Sequence, residues 1–192
     1  MTVGQAVSVH PSPLRLLTTA DLPEVDLRAA TLDGDLYAVG DAWAEIATVD
    51  DPRIRASSVT VLFERHVVAA RDTAAWIWMA SGTAPWRHHG IVPPDARHRD
   101  RTSRVAISEM VIADDEVVDL AGIRVTTPCR TALDIARSST WTPLDERRVR
   151  HLIRAHAISA PQLRRLIDRH ARLPNRVRAW ARLRSVVDPL GP

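Results

Sequence analysis

What the chain lacks narrows its chemistry first. It holds a single cysteine, Cys129, in 192 residues, so an intrachain disulfide and a cysteine-rich zinc site are both excluded. It has no lysine: all 26 basic residues are arginine, a bias that a GC-rich genome produces and that alone says little about nucleic acid. Long apolar runs are missing too. The longest candidate, residues 74–80, stops at Ser81 and Gly82, well short of the roughly 20 residues a membrane-spanning helix needs. Residues 1–9 carry no positive side chain, so a secretory leader is not expected and the expected location is cytoplasmic. No Gly-x-Gly-x-x-Gly, Walker loop or Gly-x-Ser-x-Gly elbow is present, which leaves nucleotide hydrolysis and serine-hydrolase chemistry without support.

What is present describes a soluble globular chain of one ordinary domain or two small ones, with 45% apolar and 26% charged residues. Its charge is unevenly placed. Residues 19–51 hold nine acids against Arg28, a local balance of −8, whereas residues 147–192 hold twelve arginines against Asp168 and Asp188, a balance of +10. Such a dipolar chain attracts a polyanion at one end and repels it at the other.

The pattern along the chain predicts the elements. Thr19 is a fair N-cap for a short helix reaching residue 30. The turn dipeptides of Asp33-Gly34-Asp35 and Gly40-Asp41 bracket residues 36–39 and precede an apolar stretch around Trp43 and Ile46, which predicts a hairpin. Helix then hairpin is the second half of a winged-helix outline. Residues 58–63 and 66–70 read as core segments, residues 73–80 as an apolar helix opened by Arg71 or Asp72, and residues 86–103 as an irregular strand and exposed loop. Short strands are expected at 104–111, 116–120 and 123–126. Helices then follow to residue 188, opened in turn by Thr127-Pro128, Thr142-Pro143, the Ser159 and Gln162 capping box, and Pro174. The expected class is α+β: a small, degenerate winged-helix-like N-terminal part over residues 1–56, then residues 57–192 with a mixed central sheet, a buried helix and a helical C-terminus.

Few constellations point to chemistry. His88, His89 and His98 with Asp95 and Asp100 offer metal-type ligands, but their spacing matches no ligand pattern; a solvated loop is expected, with no metal and no cofactor. Cys129 stands at a helix start beside Arg130, where the dipole lowers a thiol pKa, yet a lone cysteine at a strand-to-helix junction reads as a small buried hydrophobe. A hydrolase built on His88, His89 or Cys129 is the weakest reading. Arg130 and Asp134 stand four apart and Arg137 three further, the spacing of a helix-start salt-bridge cluster. Trp76 and Trp78, two apart, cannot share a helix face, so one is expected in the core and the other at a seam or surface. The C-terminal arginines, Arg148, Arg154, Arg164, Arg165, Arg169, Arg172, Arg176, Arg178, Arg182 and Arg184, are expected largely opposite the apolar stripes. There they suit phosphates, an acidic partner or the chain's own acidic segment.

Two runs carry a family likeness. Val67-Val68-Ala69-Ala70-Arg71-Asp72-Thr73-Ala74-Ala75-Trp76 and, more specifically, the Gly122-Ile123-x-Val125-Thr126-x-Pro128-x-Arg130-Thr131-x-Leu133-Asp134 signature resemble actinobacterial AbiEi-type antitoxins of type IV toxin–antitoxin systems. The likeness extends over about residues 33–188 and is strong in those two runs. It implies a winged-helix DNA-binding part that represses its own operon and a C-terminal domain that counters a nucleotidyltransferase-like toxin, neither of them an enzyme. The expected form is a shortened one, without the nuclease-like domain into which many such chains continue.

The expectation is therefore a non-enzymatic regulator with no catalytic residues. Its partners are DNA upstream of its own gene and a nucleotidyltransferase-like toxin or that toxin's target. Arg164, Arg165, Arg169, Arg176 and Arg178 are the candidate phosphate contacts. Thr127, Pro128, Arg130, Thr131 and Asp134 are assigned to the fold. The alternative is a protein-interaction module without DNA binding, acting through a partner or as a homodimer in which an acidic hairpin meets an Arg-rich helical face. No membrane partner is expected.

Overall fold

The computed structural model describes residues 16–94, 103–170 and 173–187. The chain begins with helix α1 (Glu24–Asp33) and a hairpin of β1 (Leu36–Val39) and β2 (Ala42–Glu45), paired Leu36↔Glu45 to Val39↔Ala42. The helix starts later than Thr19 predicts. Thr18 instead closes a turn with Asp21, and Pro23, whose ring fixes φ, delays the first helical residue to Glu24. Gly34 at φ 84° ends the helix, a left-handed cap that glycine adopts without strain. Leu17 pairs with Trp43 as an isolated antiparallel bridge, adding a third extended segment to the hairpin.

Helix α2 (Pro52–Ser58) is opened by Asp51, whose side chain accepts the Ile54 N–H at 2.9 Å. The boundary expected after residue 56 falls inside it. Then come β3 (Val68–Ala69), α3 (Arg71–Ile77), β4 (His88–Val92), β5 (Val105–Glu109), β6 (Val117–Leu120) and β7 (Ile123–Thr126). They form a five-stranded mixed sheet in the order β5-β4-β3-β7-β6, with β3 parallel to β7, β4 parallel to β5 and the other neighbours antiparallel. The two residues of β3 are buried at the centre, Val68 against Ile91 and Arg124, Ala69 against Gly90 and Val125. The remaining chain is helical: α4 (Pro128–Ala136), α5 (Pro143–Ala155), α6 (Ala160–Arg169) and α7 (Arg176–Val187). Thr127 caps α4, and complete capping boxes at Thr142 with Asp145 and at Ser159 with Gln162 open α5 and α6.

The chain is thus α+β with a helical C-terminus. One core unites the N-terminal unit with the sheet: Val39, Ala44 and Ile54 pack with Val59, Trp76, Ile77, Val92 and Val125. Gly40, at φ 57°, lets the hairpin turn close on that core, because a Cβ there would stand 2.4 Å from Ser58 Oγ and 3.0 Å from Trp76 Cη2. A second core joins Ala75 of α3 to Leu133, Leu152, Leu163 and Leu183 from α4 to α7. Trp76 is buried, and Trp78, just past α3, is partly buried with its indole N–H on the Thr126 carbonyl at 2.8 Å. No described helix is long and apolar enough to cross a membrane.

Candidate functional site

Two arrangements concentrate charge: a buried cluster around Arg130 and an exposed arginine surface on α6 and α7. The cluster grows from the junction of β7 and α4. Thr127 Oγ1 accepts the Arg130 N–H at 3.3 Å, Pro128 occupies the first turn, and Thr131 Oγ1 lies 2.7 Å from Thr126 Oγ1, locking strand to helix. That geometry turns Arg130 inward, where its side chain is fully buried. Its Nε donates to Asp134 Oδ2 at 2.9 Å, one terminal nitrogen pairs with Glu116, and the other stands 2.8 Å from Met110 Sδ. Asp134 also accepts from Arg137 at 3.0 Å. His170, at the end of α6, places Nε2 at 2.5 Å from Glu116 Oε1.

The pairs Arg130–Asp134 and Asp134–Arg137 are those the spacing predicts. Glu116 and His170 are not legible from it, because they come from a 3-10 turn over Asp114–Glu116 and from the far end of α6. With two arginines facing two buried carboxylates, the cluster ties the β6 entry, α4 and α6 together. Thr127, Pro128, Arg130, Thr131 and Asp134 are all placed where they hold this junction.

Cys129 sits half-buried on the same turn. The sequence-level argument from the helix dipole points to a lowered thiol pKa, and the structure reverses it: burial first, then the Glu116 carboxylate, push the thiol up to about 11, outweighing Arg165. The histidine loop is corrected as well. His88 and His89 lie on β4; His88 is fully buried, edge-on to Phe63 and Trp76 with ring centroids 6.2 and 6.4 Å away. Alternation along the strand turns His89 to the opposite face, beside Asp72. His98, Asp95 and Asp100 lie outside the described residues, as does Arg172.

The arginine surface is divided. Arg164 pairs with Asp168 at 2.8 Å and covers the Trp180 ring, 5.4 Å from guanidinium to centroid. Arg169 holds both oxygens of Asp115 at 2.7 Å. Arg148 is bound to Asp72, and Arg182 caps the end of α4 through the carbonyls of Ala136 and Ser138. Arg165, Arg176 and Arg178 take part in no such pair among the described residues; Arg165 and Arg178 are exposed and Arg176 half-exposed.

These features define a class: an α+β chain whose most specific motif builds a buried ion cluster and whose C-terminal helices carry exposed arginines. Neither a protein-family model nor a curated protein matches it. Among solved structures it is similar to the RV2827C protein from Mycobacterium tuberculosis, at 20% identity and a TM-score of 0.51, over 93% of this chain and 73% of that one. At that identity the likeness is one of fold.

Proposed function

We propose that the chain is a non-enzymatic regulator of the AbiEi antitoxin type, acting by binding DNA and by countering a nucleotidyltransferase-like toxin. The observation that carries the DNA reading is Arg165: an exposed guanidinium with no carboxylate partner among the described residues, on α6 between Arg164 and Arg169. Arg165 offers a phosphate contact of the kind that dominates affinity for a duplex, flanked by Arg164 and Arg169, which are paired with Asp168 and Asp115. The burial of Arg130 supports assigning the signature motif to folding rather than chemistry. The winged-helix-like reading of α1, β1 and β2 belongs to this proposal as architecture; the acids on α1 argue against that helix as the groove reader, since like charge repels the backbone.

The test is fluorescence anisotropy with the duplex upstream of the gene against a scrambled duplex, across a salt series. Tighter binding to the upstream duplex is expected, with Arg165→Glu weakening it and lowering the salt slope by about 1. Equal, weak binding to both duplexes overturns DNA recognition. A second reading, that of a protein-interaction module, rests on the apolar face of α1.

A further inference from the structure

Helix α1 buries a single residue, Leu27, against its own chain. Apart from half-buried Ala30, the rest of its apolar content faces solvent. Val25 is 71% and Leu32 89% exposed, seven residues apart and therefore on one face, with exposed Ala29 between them. The stripe continues past the helix: Ile46, 61% exposed, donates its N–H to the Asp35 carbonyl at 2.9 Å and so lies beside the α1 C-terminus. Glu24, Asp26, Asp33 and Asp35, all exposed, rim this stripe; Arg28, also beside it, is paired with Glu24 at 2.6 Å, which leaves the rim net acidic. A contiguous exposed apolar face with a charged rim is the surface form of a protein-binding site. An acidic rim selects a basic partner.

The complement is carried by α7 of the same chain. A shallow groove of about 550 Å³ runs along it, lined by Leu173, Asn175, Arg176, Val177, Arg178 and Ala181. Val177 is 77% exposed, and Arg176 and Arg178 have no carboxylate partner among the described residues. The groove covers the first half of α7, Arg176 to Ala181, roughly 8 Å at the helical rise, against roughly 10 Å from Val25 to Leu32 on α1. They are opposite in charge: the face that leaves Leu32 uncovered is acidic and the groove able to receive it is basic.

We propose that α1 of one copy docks on the α7 groove of a second copy, with Leu32 seated between Arg176 and Arg178, and that two such contacts close a symmetric dimer. Each copy contributes one stripe and one groove, which lets a two-fold axis satisfy both at once. The assignment moves Arg176 and Arg178 from the phosphate contacts to the dimer interface and leaves Arg164, Arg165 and Arg169 on α6 for DNA. It does not depend on the DNA reading, because self-association is measured without nucleic acid.

Sedimentation of the full chain across a concentration series at low and high salt tests it. A dimer whose dissociation constant rises with salt is expected, since the rim pairs are screened. Leu32→Glu and Val177→Glu, both at exposed positions, are each expected to raise that constant by more than about tenfold. Asp33→Arg and Arg178→Glu each weaken association alone. Mixed in equal amounts, the two variants recover it, because the mixed dimer pairs the new arginine with the new glutamate and keeps the second contact native. A monomer at every concentration overturns the proposal. So does a dimer indifferent to Leu32→Glu and Val177→Glu, or a mixture that fails to recover.

Discussion

Thr73 and His88 share one hydrogen-bonding chain inside the first core. Thr73 Oγ1 accepts the His89 backbone N–H at 2.8 Å and lies 3.3 Å from His88 Nδ1. The hydroxyl keeps its proton and a second lone pair for Nδ1, while Nε2 is buried without a partner, so nothing in contact with the ring favours its charged form. The ring is therefore held neutral. Burial pulls its pKa down from 6.5 to about 4, against the opposing pull of Asp41.

A pH dependence follows with a definite sign. The folded state resists protonation of His88 while the unfolded chain accepts it, so the unfolded state binds more protons between pH 6.5 and about 4. The stability associated with His88 is intact above pH 6.5 and is lost as pH falls toward 4, up to about 3 kcal/mol in all. Denaturant unfolding of the wild type and His88→Gln across that window checks this. The variant, which cannot titrate there, is expected to show a shallower acid-side slope; an unchanged slope refutes the assignment.

The Arg130 cluster is expected to be sensitive to removal of one member. Arg130→Ala takes a cation from two buried carboxylates, leaving Asp134 to Arg137 and Glu116 to His170, and is expected to cost about 3–5 kcal/mol, the range for breaking a buried pair from one side. Arg130→Lys is not expected to rescue it, because one ammonium cannot reproduce the fork that serves Asp134, Glu116 and Met110. Chemical denaturation midpoints for the two variants decide the matter. A loss under about 1 kcal/mol for Arg130→Ala would show that the cluster does not hold the fold.

Cys129 is expected to react slowly. Raising a thiol from 9.0 to about 11 lowers its thiolate fraction at pH 8 by about a hundredfold, and the thiolate is the nucleophile. Modification of the native protein by a disulfide reagent, compared with the denatured protein, measures that ratio. Equal rates would show that the thiol is activated rather than suppressed.

Much of the fold is legible in the sequence because its signals are local. The turn at Gly40-Asp41, the short strands β6 and β7, and the openings of α4, α5 and α6 each depend on residues within a few positions of one another. The start of α1 misleads because two local signals compete: Thr19 resembles a cap, but Pro23 sets the geometry. Residues 86–103 mislead for a different reason. A polar run with three histidines reads as an irregular strand and a solvated loop, yet the strand, β4, passes under Phe63 and Trp76, which bury His88 from 25 and 12 positions away.

The sequence by itself determined the α+β class, the caps of α4, α5 and α6, the Arg130–Asp134 pair and the separation of acidic and basic ends, since helical spacing and composition specify these without knowledge of the fold. Only the tertiary structure decided which charges are available. It brings Glu116 and His170 onto Arg130 and sets Asp115 against Arg169, while Arg165 remains exposed. The physical reason is distance along the chain: an ion pair or a buried imidazole depends on which segments the sheet and helices bring within a few ångströms, and no local periodicity encodes that.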